Sequence, residues 1–188
     1  MTRTIHGLLA LLALIVFSLP NAVQAAEDDT FSQEEVMSKA RGFFGETTKG
    51  LAKAVEKVFK DQGRPNAIIT GEEASGAFGI GARYGKGELT KKGGKPIKIY
   101  WQGPSVGFDI GGNASKVFTL VYHLKHTDLI YQRFPGVDGS FYVVAGVGVN
   151  YLQSGETILA PMRTGVGLRA DASIGYLHFT KEHSWNPF

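Results

Sequence analysis

Between Gly76 and Leu89 the chain reads Gly-Ala-Phe-Gly-Ile-Gly-Ala-Arg-Tyr-Gly-Lys-Gly-Glu-Leu. Alternate residues of a strand point to opposite faces. One face is then Gly79, Gly81, Arg83, Gly85 and Gly87, and the other is Phe78, Ile80, Ala82 and Tyr84. The same division recurs in Ser105–Asn113, Ser140–Tyr151 and Arg163–Tyr176: one face apolar, the other glycine with a few polar groups. Glycine weakens a strand unless close approach or sharp bending calls for it. Four such segments predict a sheet that is bent and closed on itself.

Glycine is over-used to match. There are 25 among 188 residues, nearly all after Gly71, about twice the usual ~7%. From Asn66 onward the apolar period is 2. Strands are predicted over Ala67–Thr70, Ser75–Thr90, Pro96–Trp101, Ser105–Asn113, Lys116–Leu124, Asp128–Phe134, Ser140–Leu152 and Thr157–Pro161, with Arg163–Thr180 supplying two more. Turns are predicted at Lys91–Lys95, Gly103-Pro104 and Pro135–Gly139. With no helix-sized segment between them, the strands predict a mainly β fold: a small closed antiparallel barrel of about ten strands over residues 66–188. In a soluble barrel the apolar face fills the interior, whereas in an outer-membrane barrel it meets lipid. The terminal Phe188 fits the second reading. Pro187, the charges Lys86 and Glu88 on the continued apolar face, and an amphipathic segment upstream that needs a surface to cover favour the first.

That upstream region has two parts. Arg3, the apolar run Leu8–Leu19, the breakers Pro20 and Asn21, and small residues at Val23 and Ala25 make a cleavable secretory signal over 1–25. Its apolar core is short of the ~20 residues a spanning helix needs. The expected location is the periplasm. The formal charge of +3, from 20 basic and 17 acidic residues with no block of one sign, does not suggest nucleic acid. Cysteine is absent, which excludes disulfides and thiolate chemistry. Residues 26–65 predict helices. Ser32 and Glu35 form a capping box with Phe31 and Val36 as its staple. Leu51, Val55, Val58 and Phe59 then follow at helical spacing, opposite a lysine edge of Lys53, Lys57 and Lys60, and Gly63 and Pro65 end the segment.

Chemical motifs are few. The spacing Gly79-x-Gly81-x-x-x-Gly85-x-Gly87 is not a phosphate loop, because it lies inside a strand rather than opening a helix. No nucleotide or other cofactor is expected. On a strand, His123 and His126 would point to opposite faces and not chelate together. No Gly-x-Ser-x-Gly elbow occurs, and Asp109 and Asp171 have no partner carboxylate, which leaves them as structural partners for Arg83, Arg163 or Arg169. Neither a metal site nor a catalytic set is predicted. Tyr100-Trp101-Gln102 at a strand end suits contact with a sugar or lipid headgroup, or else anchors a hairpin in the core. The candidate ligand or structural polar cluster is therefore Arg83, Tyr100, Trp101, Gln102, Asp109 and Arg169.

Several segments carry a resemblance. Arg41-Gly42-Phe43-Phe44-Gly45, Gly63-Arg64-Pro65-Asn66, Arg83-Tyr84-Gly85, Tyr100-Trp101-Gln102-Gly103-Pro104-Ser105, Ile130-Tyr131-Gln132-Arg133-Phe134 and Trp185-Asn186-Pro187-Phe188 resemble the EipA (envelope integrity protein A) family of periplasmic proteins. That resemblance implies a periplasmic β-barrel of about ten strands needed for envelope integrity under stress, and it brings no catalytic residues with it. A lesser likeness, to the lipid-binding SYLF domain, rests on the glycine spacing above followed by Pro104-x-x-x-Phe108-x-x-Gly111. The resulting expectation is a soluble, non-enzymatic barrel that supports the envelope, binding an envelope lipid or glycan. An integral outer-membrane barrel and a periplasmic enzyme using the glycine-face Arg and Asp residues are the alternatives. No oligomeric state is implied.

Overall fold

The computed structural model describes residues 29–45, 49–109, 115–164 and 175–186, with the backbone alone for 76–80, 105–109 and 164. The leader over 1–25, the SYLF-like Gly111, and Gly167, Arg169 and Asp171 lie outside the described residues.

Two helices come first. Helix α1, Gln33–Phe44, opens on the expected capping box: Glu35 N–H donates to Ser32 Oγ at 3.2 Å, and Ser32 N–H donates to a Glu35 carboxylate oxygen at 2.8 Å. It stops where Gly45 takes a φ of 87°, which favours glycine, and its N–H returns to Arg41 C=O. Helix α2, Lys49–Gln62, ends the same way at Gly63, whose φ is 76° and whose N–H reaches Phe59 C=O. Its buried stripe of Leu51, Ala54, Val55 and Val58 is the one its spacing predicts.

Nine strands follow among the described residues: β1 (Ala67–Lys91), β2 (Ile97–Asp109), β3 (Ser115–Tyr122), β4 (Arg133–Pro135), β5 (Tyr142–Val144), β6 (Val147–Val149), β7 (Leu152–Ser154), β8 (Thr157–Thr164) and β9 (Tyr176–Thr180). They form one antiparallel sheet in the order β4-β9-β2-β1-β3-β8-β6-β5, with β7 also paired to β8. The sheet curls into a half-barrel. Its β4 end comes round to β7 through a single bridge, Gly136 to Leu152, beside Val137 N–H donating to Tyr151 C=O.

Strand β1 shows why glycine was needed. A straight run from Gly71 to Gly87 would span roughly 50 Å at strand rise. Instead the two meet: a Cβ on either glycine would lie 2.8 Å from the other's Cα. At its ends, Lys92 N–H donates to Asn66 C=O. The element therefore bends back on itself. Its first third pairs with β3 (Ile69 opposite Thr119) and its later part with β2 (Gly85 opposite Trp101). The glycine face is the inner one, which corrects the expectation that the apolar face of this segment would fill the interior. Trp101, Ile99 and Leu89 lie inside with Arg83, while Lys86 and Glu88 point out to solvent.

The sheet buries both of its faces around β3. On the concave side Val117, Val121, Ile69, Trp101, Phe134, Leu159 and Phe179 form one cluster. On the convex side Phe118, Leu120, Tyr122, Val149 and Met162 meet Val36, Leu51, Val55 and Val58 of the helices. Each such side chain stabilises the fold by about 1.5–3 kcal/mol. The helical segment thus packs on the sheet, and a neighbouring part of the sheet, with the Trp101 ring, lies against the glycines.

Other boundaries differ from expectation for identifiable reasons. Residues 71–74 belong to β1 instead of separating two strands. Strand β2 runs straight through Gly103-Pro104. Gly103 is required there because a Cβ would strike Tyr176 C=O, and Pro104 lies beyond the Tyr100–Gln102 ladder with β9. Ser140–Leu152 is not one strand. Ala145 and Gly146, with φ of 46° and 86°, form a two-residue turn that pairs Val144 with Val147. Gly146 is thus a turn residue. Asp128–Phe134 begins as a 3-10 turn, Thr127–Ile130. Strand β8 continues through Pro161, opposite the gap between β7 and β6 where a missing N–H breaks no ladder.

Candidate functional site

Inside the curled sheet, Ala67, Ile69, Gly71 and Glu73 share one face of β1, which turns the Glu73 carboxylate inward. Three strands converge on it. Arg163 of β8 donates from Nε to Glu73 Oε1 at 3.0 Å and from Nη2 to Oε2 at 3.4 Å, a forked contact. Arg83 Nε lies 3.5 Å from the same Oε1. Trp101 Nε1–H donates to Oε2 at 2.8 Å, and Asn150 Oδ1 accepts from Arg163 Nη1 at 3.1 Å. All five side chains are buried. Burial opposes ionisation of Glu73, but the guanidinium charges of Arg163 and Arg83, with the hydrogen bonds from Arg163 and Trp101, outweigh it and hold the carboxyl down at about 2. The Trp101 ring is seated by the absence of side chains above it. A Cβ on Gly85 would overlap the indole, and one on Gly71 would stand 2.7 Å from its Cη2. Beside Arg83, Asn150 and Arg163 there remains a cavity of about 10 Å³, room for a single water.

Outside the same wall, the segment after β9 returns across β1 and β2. Tyr84 Oη–H donates to Trp185 C=O at 2.8 Å. His183 is the hub of an aromatic group: its ring centroid is 4.4 Å from Trp185 and 6.0 Å from Tyr100, both edge-on, and 6.4 Å from Tyr84, nearly parallel to it. Trp185 is 78% exposed. Two clefts flank Lys86 here. One of about 310 Å³ is lined by Glu72, Glu88, Lys98 and Tyr100, and one of about 240 Å³ by Glu72, Tyr84 and His183. The floor of the first is the Gly71/Gly87 crossing.

The residues singled out in the sequence therefore divide. Arg83 and Trp101 enter the inner cluster. Tyr100 stands outside in the aromatic group. Gln102 is buried opposite His178 of β9, with its amide nitrogen 3.5 Å from His178 Nδ1. Asp109 is the last residue of β2, opposite Ala77, and only its backbone is described. Arg169 lies outside the described residues. Glu73, the centre of the inner cluster, falls between the predicted strands Ala67–Thr70 and Ser75–Thr90. The signal available was its parity with Ala67, Ile69 and Gly71. His123 and His126 are exposed in the loop after β3 and not on a strand, and no group of three His, Asp or Glu is placed to hold a metal ion among the described residues.

A second polar knot joins α2 to Tyr151, between β6 and β7. Tyr151 Oη–H donates to Asp61 at 2.9 Å, and Lys57 Nζ donates to the same carboxylate at 2.9 Å. Burial, with the hydrogen bonds to Tyr142 and Asp61, pushes the Tyr151 phenol far above its usual range. It remains a neutral donor and serves as a structural tie.

Comparison with known proteins agrees with this architecture. The family model described as "Envelope integrity protein A" matches residues 29–188. A solved structure, a beta-barrel-like, uncharacterized protein from Brucella abortus, superposes with a TM-score of 0.76 at 46% identity, covering 85% of this chain and 99% of that one. No curated protein matches the chain.

Proposed function

The chain belongs to the envelope integrity protein A family, and from that premise we propose that it is an exported, soluble, closed β-barrel that supports the cell envelope under stress by holding an envelope lipid or glycan, without catalysing a reaction. The observation that carries this reading is the filling of the concave side. Trp101, Phe134 and Phe179 occupy it together with the Glu73 ion cluster, and the cavity beside that cluster has room for one water. Among the described residues this side is filled by side chains, which supports a ligand meeting the outer surface. The Gly136–Leu152 bridge supports closure. Solubility is supported by the helices over β3, β6 and β8 and by Lys86, Glu88 and Lys98 on the outside of β1 and β2, where a membrane barrel presents apolar side chains. The arginines named for the enzyme alternative that are described are clamped on Glu73 inside the core, which supports a structural role for them.

Two measurements test this. Osmotic shock should release the protein without detergent; extraction only by detergent, with heat-modifiable gel mobility, would replace the reading with an integral barrel. A deletion strain should lose tolerance to detergent and osmotic stress, and unchanged tolerance would remove the envelope role.

A further inference from the structure

The geometry points to a saccharide-binding face on the outer wall, formed by Trp185, His183, Tyr84 and Tyr100 with the clefts on either side of Lys86; this rests on the reading of a soluble envelope protein. Four aromatic rings gathered on an otherwise charged surface are not there to fill a core. Trp185 is 78% exposed, yet it is positioned: its carbonyl accepts from Tyr84 Oη–H at 2.8 Å and its ring packs edge-on against His183 at 4.4 Å. A fixed, exposed indole is a platform with an apolar face, and the C–H face of a pyranose is the complementary surface.

The adjoining clefts supply the rest. They adjoin at Glu72 and Lys86, with volumes of about 310 and 240 Å³, at the small end of ligand sites, ~300–1,000 Å³, and the larger is the trough beside the aromatic group. Two carboxylates, Glu72 and Glu88, face two ammonium groups, Lys86 and Lys98, on its walls. That balance favours neither an anion nor a cation. It suits a neutral ligand rich in hydroxyl and amide groups, which can donate to the carboxylates and accept from the lysines. Its floor is the backbone of the Gly71/Gly87 crossing, with the side chains of Glu72, Lys86, Glu88 and Lys98 standing around it. Together these features select a short neutral oligosaccharide, with one ring on Trp185 and the next in the trough.

The chain carries its own reporter, since Trp101 is 2% exposed and Trp185 is 78% exposed. The probe is chitotriose, a neutral trisaccharide of acetamido sugars, titrated into the full mature protein while tryptophan emission and acrylamide quenching are followed. Binding should shift the exposed component to the blue and protect it from acrylamide, saturating with a Kd of about 1 mM. Tyr100→Ala, and independently the exposed Glu88→Gln, should weaken the titration about tenfold while both tryptophans remain. A folded protein whose Trp185 stays fully quenchable at saturating sugar overturns the inference. So does protection by neutral phosphatidylethanolamine–phosphatidylcholine vesicles in place of the sugar, which would move the ligand to a lipid headgroup. Either result leaves the envelope role to be decided by the deletion strain alone.

Discussion

Trp101 and Trp185 stand on opposite sides of one wall of the sheet and teach different things. Trp101 lies against Gly71 and Gly85, donates to Glu73 and packs on the Phe179 ring. Trp185 is held by one hydrogen bond and edge-on ring contacts with His183 and Tyr84, and most of its surface is open. The polar groups differ in the same way. Glu73, Arg83 and Arg163 are out of water and depend on each other, whereas Glu72, Lys86 and Glu88 are solvated and independent. The inner set fixes the shape of the sheet and the outer set is free to meet a ligand. The contrast predicts that inner substitutions damage stability and outer ones damage function.

The largest effect should come from Glu73→Ala. It leaves Arg163 and Arg83 buried beside a vanished carboxylate, and loss of one member of such a set costs about 3–5 kcal/mol. Urea unfolding measures it, and a loss below about 1 kcal/mol would mean that the cluster is not a keystone. Acid should act on the same group. The folded carboxyl sits at about 2 against an ordinary 4.5, so its contribution is complete above pH 4.5 and disappears as pH falls toward 2. The integrated change is about 3 kcal/mol. Wild-type stability should drop across that window more steeply than that of Glu73→Gln, and parallel profiles would contradict the assignment. Gly85→Ala drives a methyl into the Trp101 ring and should cost about 1–3 kcal/mol, with a visible change in tryptophan emission. Ser32→Ala removes the α1 cap acceptor and should cost about 1 kcal/mol. Trp185→Ala should change stability by less than about 0.5 kcal/mol, and a larger loss would make Trp185 a structural residue and erase the contrast.

How much of this was legible in the chain depended on distance along it. The helices were, down to the Ser32–Glu35 box and the Gly63 end, because each signal lies within one or two turns of its effect. Strand β3 was legible as an apolar run, and its burial on both faces accounts for the run. The β5–β6 turn was hidden because Ala145 adopts a positive φ that its residue type does not advertise. The bend in β1 was hinted at by glycine, but which face turned inward depended on Trp101 fitting against Gly85, a pairing set by β2. Glu73 escaped because Arg163 is 90 residues away and no local pattern links them. The outer aromatic face escaped for a similar reason: His183 and Trp185 follow the last strand, and only the fold lays them over Tyr84 and Tyr100.

The most direct test of the division between a structural interior and a working exterior is complementation of a deletion strain with Trp185→Ala/Tyr100→Ala, assayed for detergent tolerance at matched expression levels. The double variant should fold with a thermal midpoint close to wild type and fail to restore tolerance. Full restoration by that variant would contradict the account, placing the function somewhere other than the aromatic face.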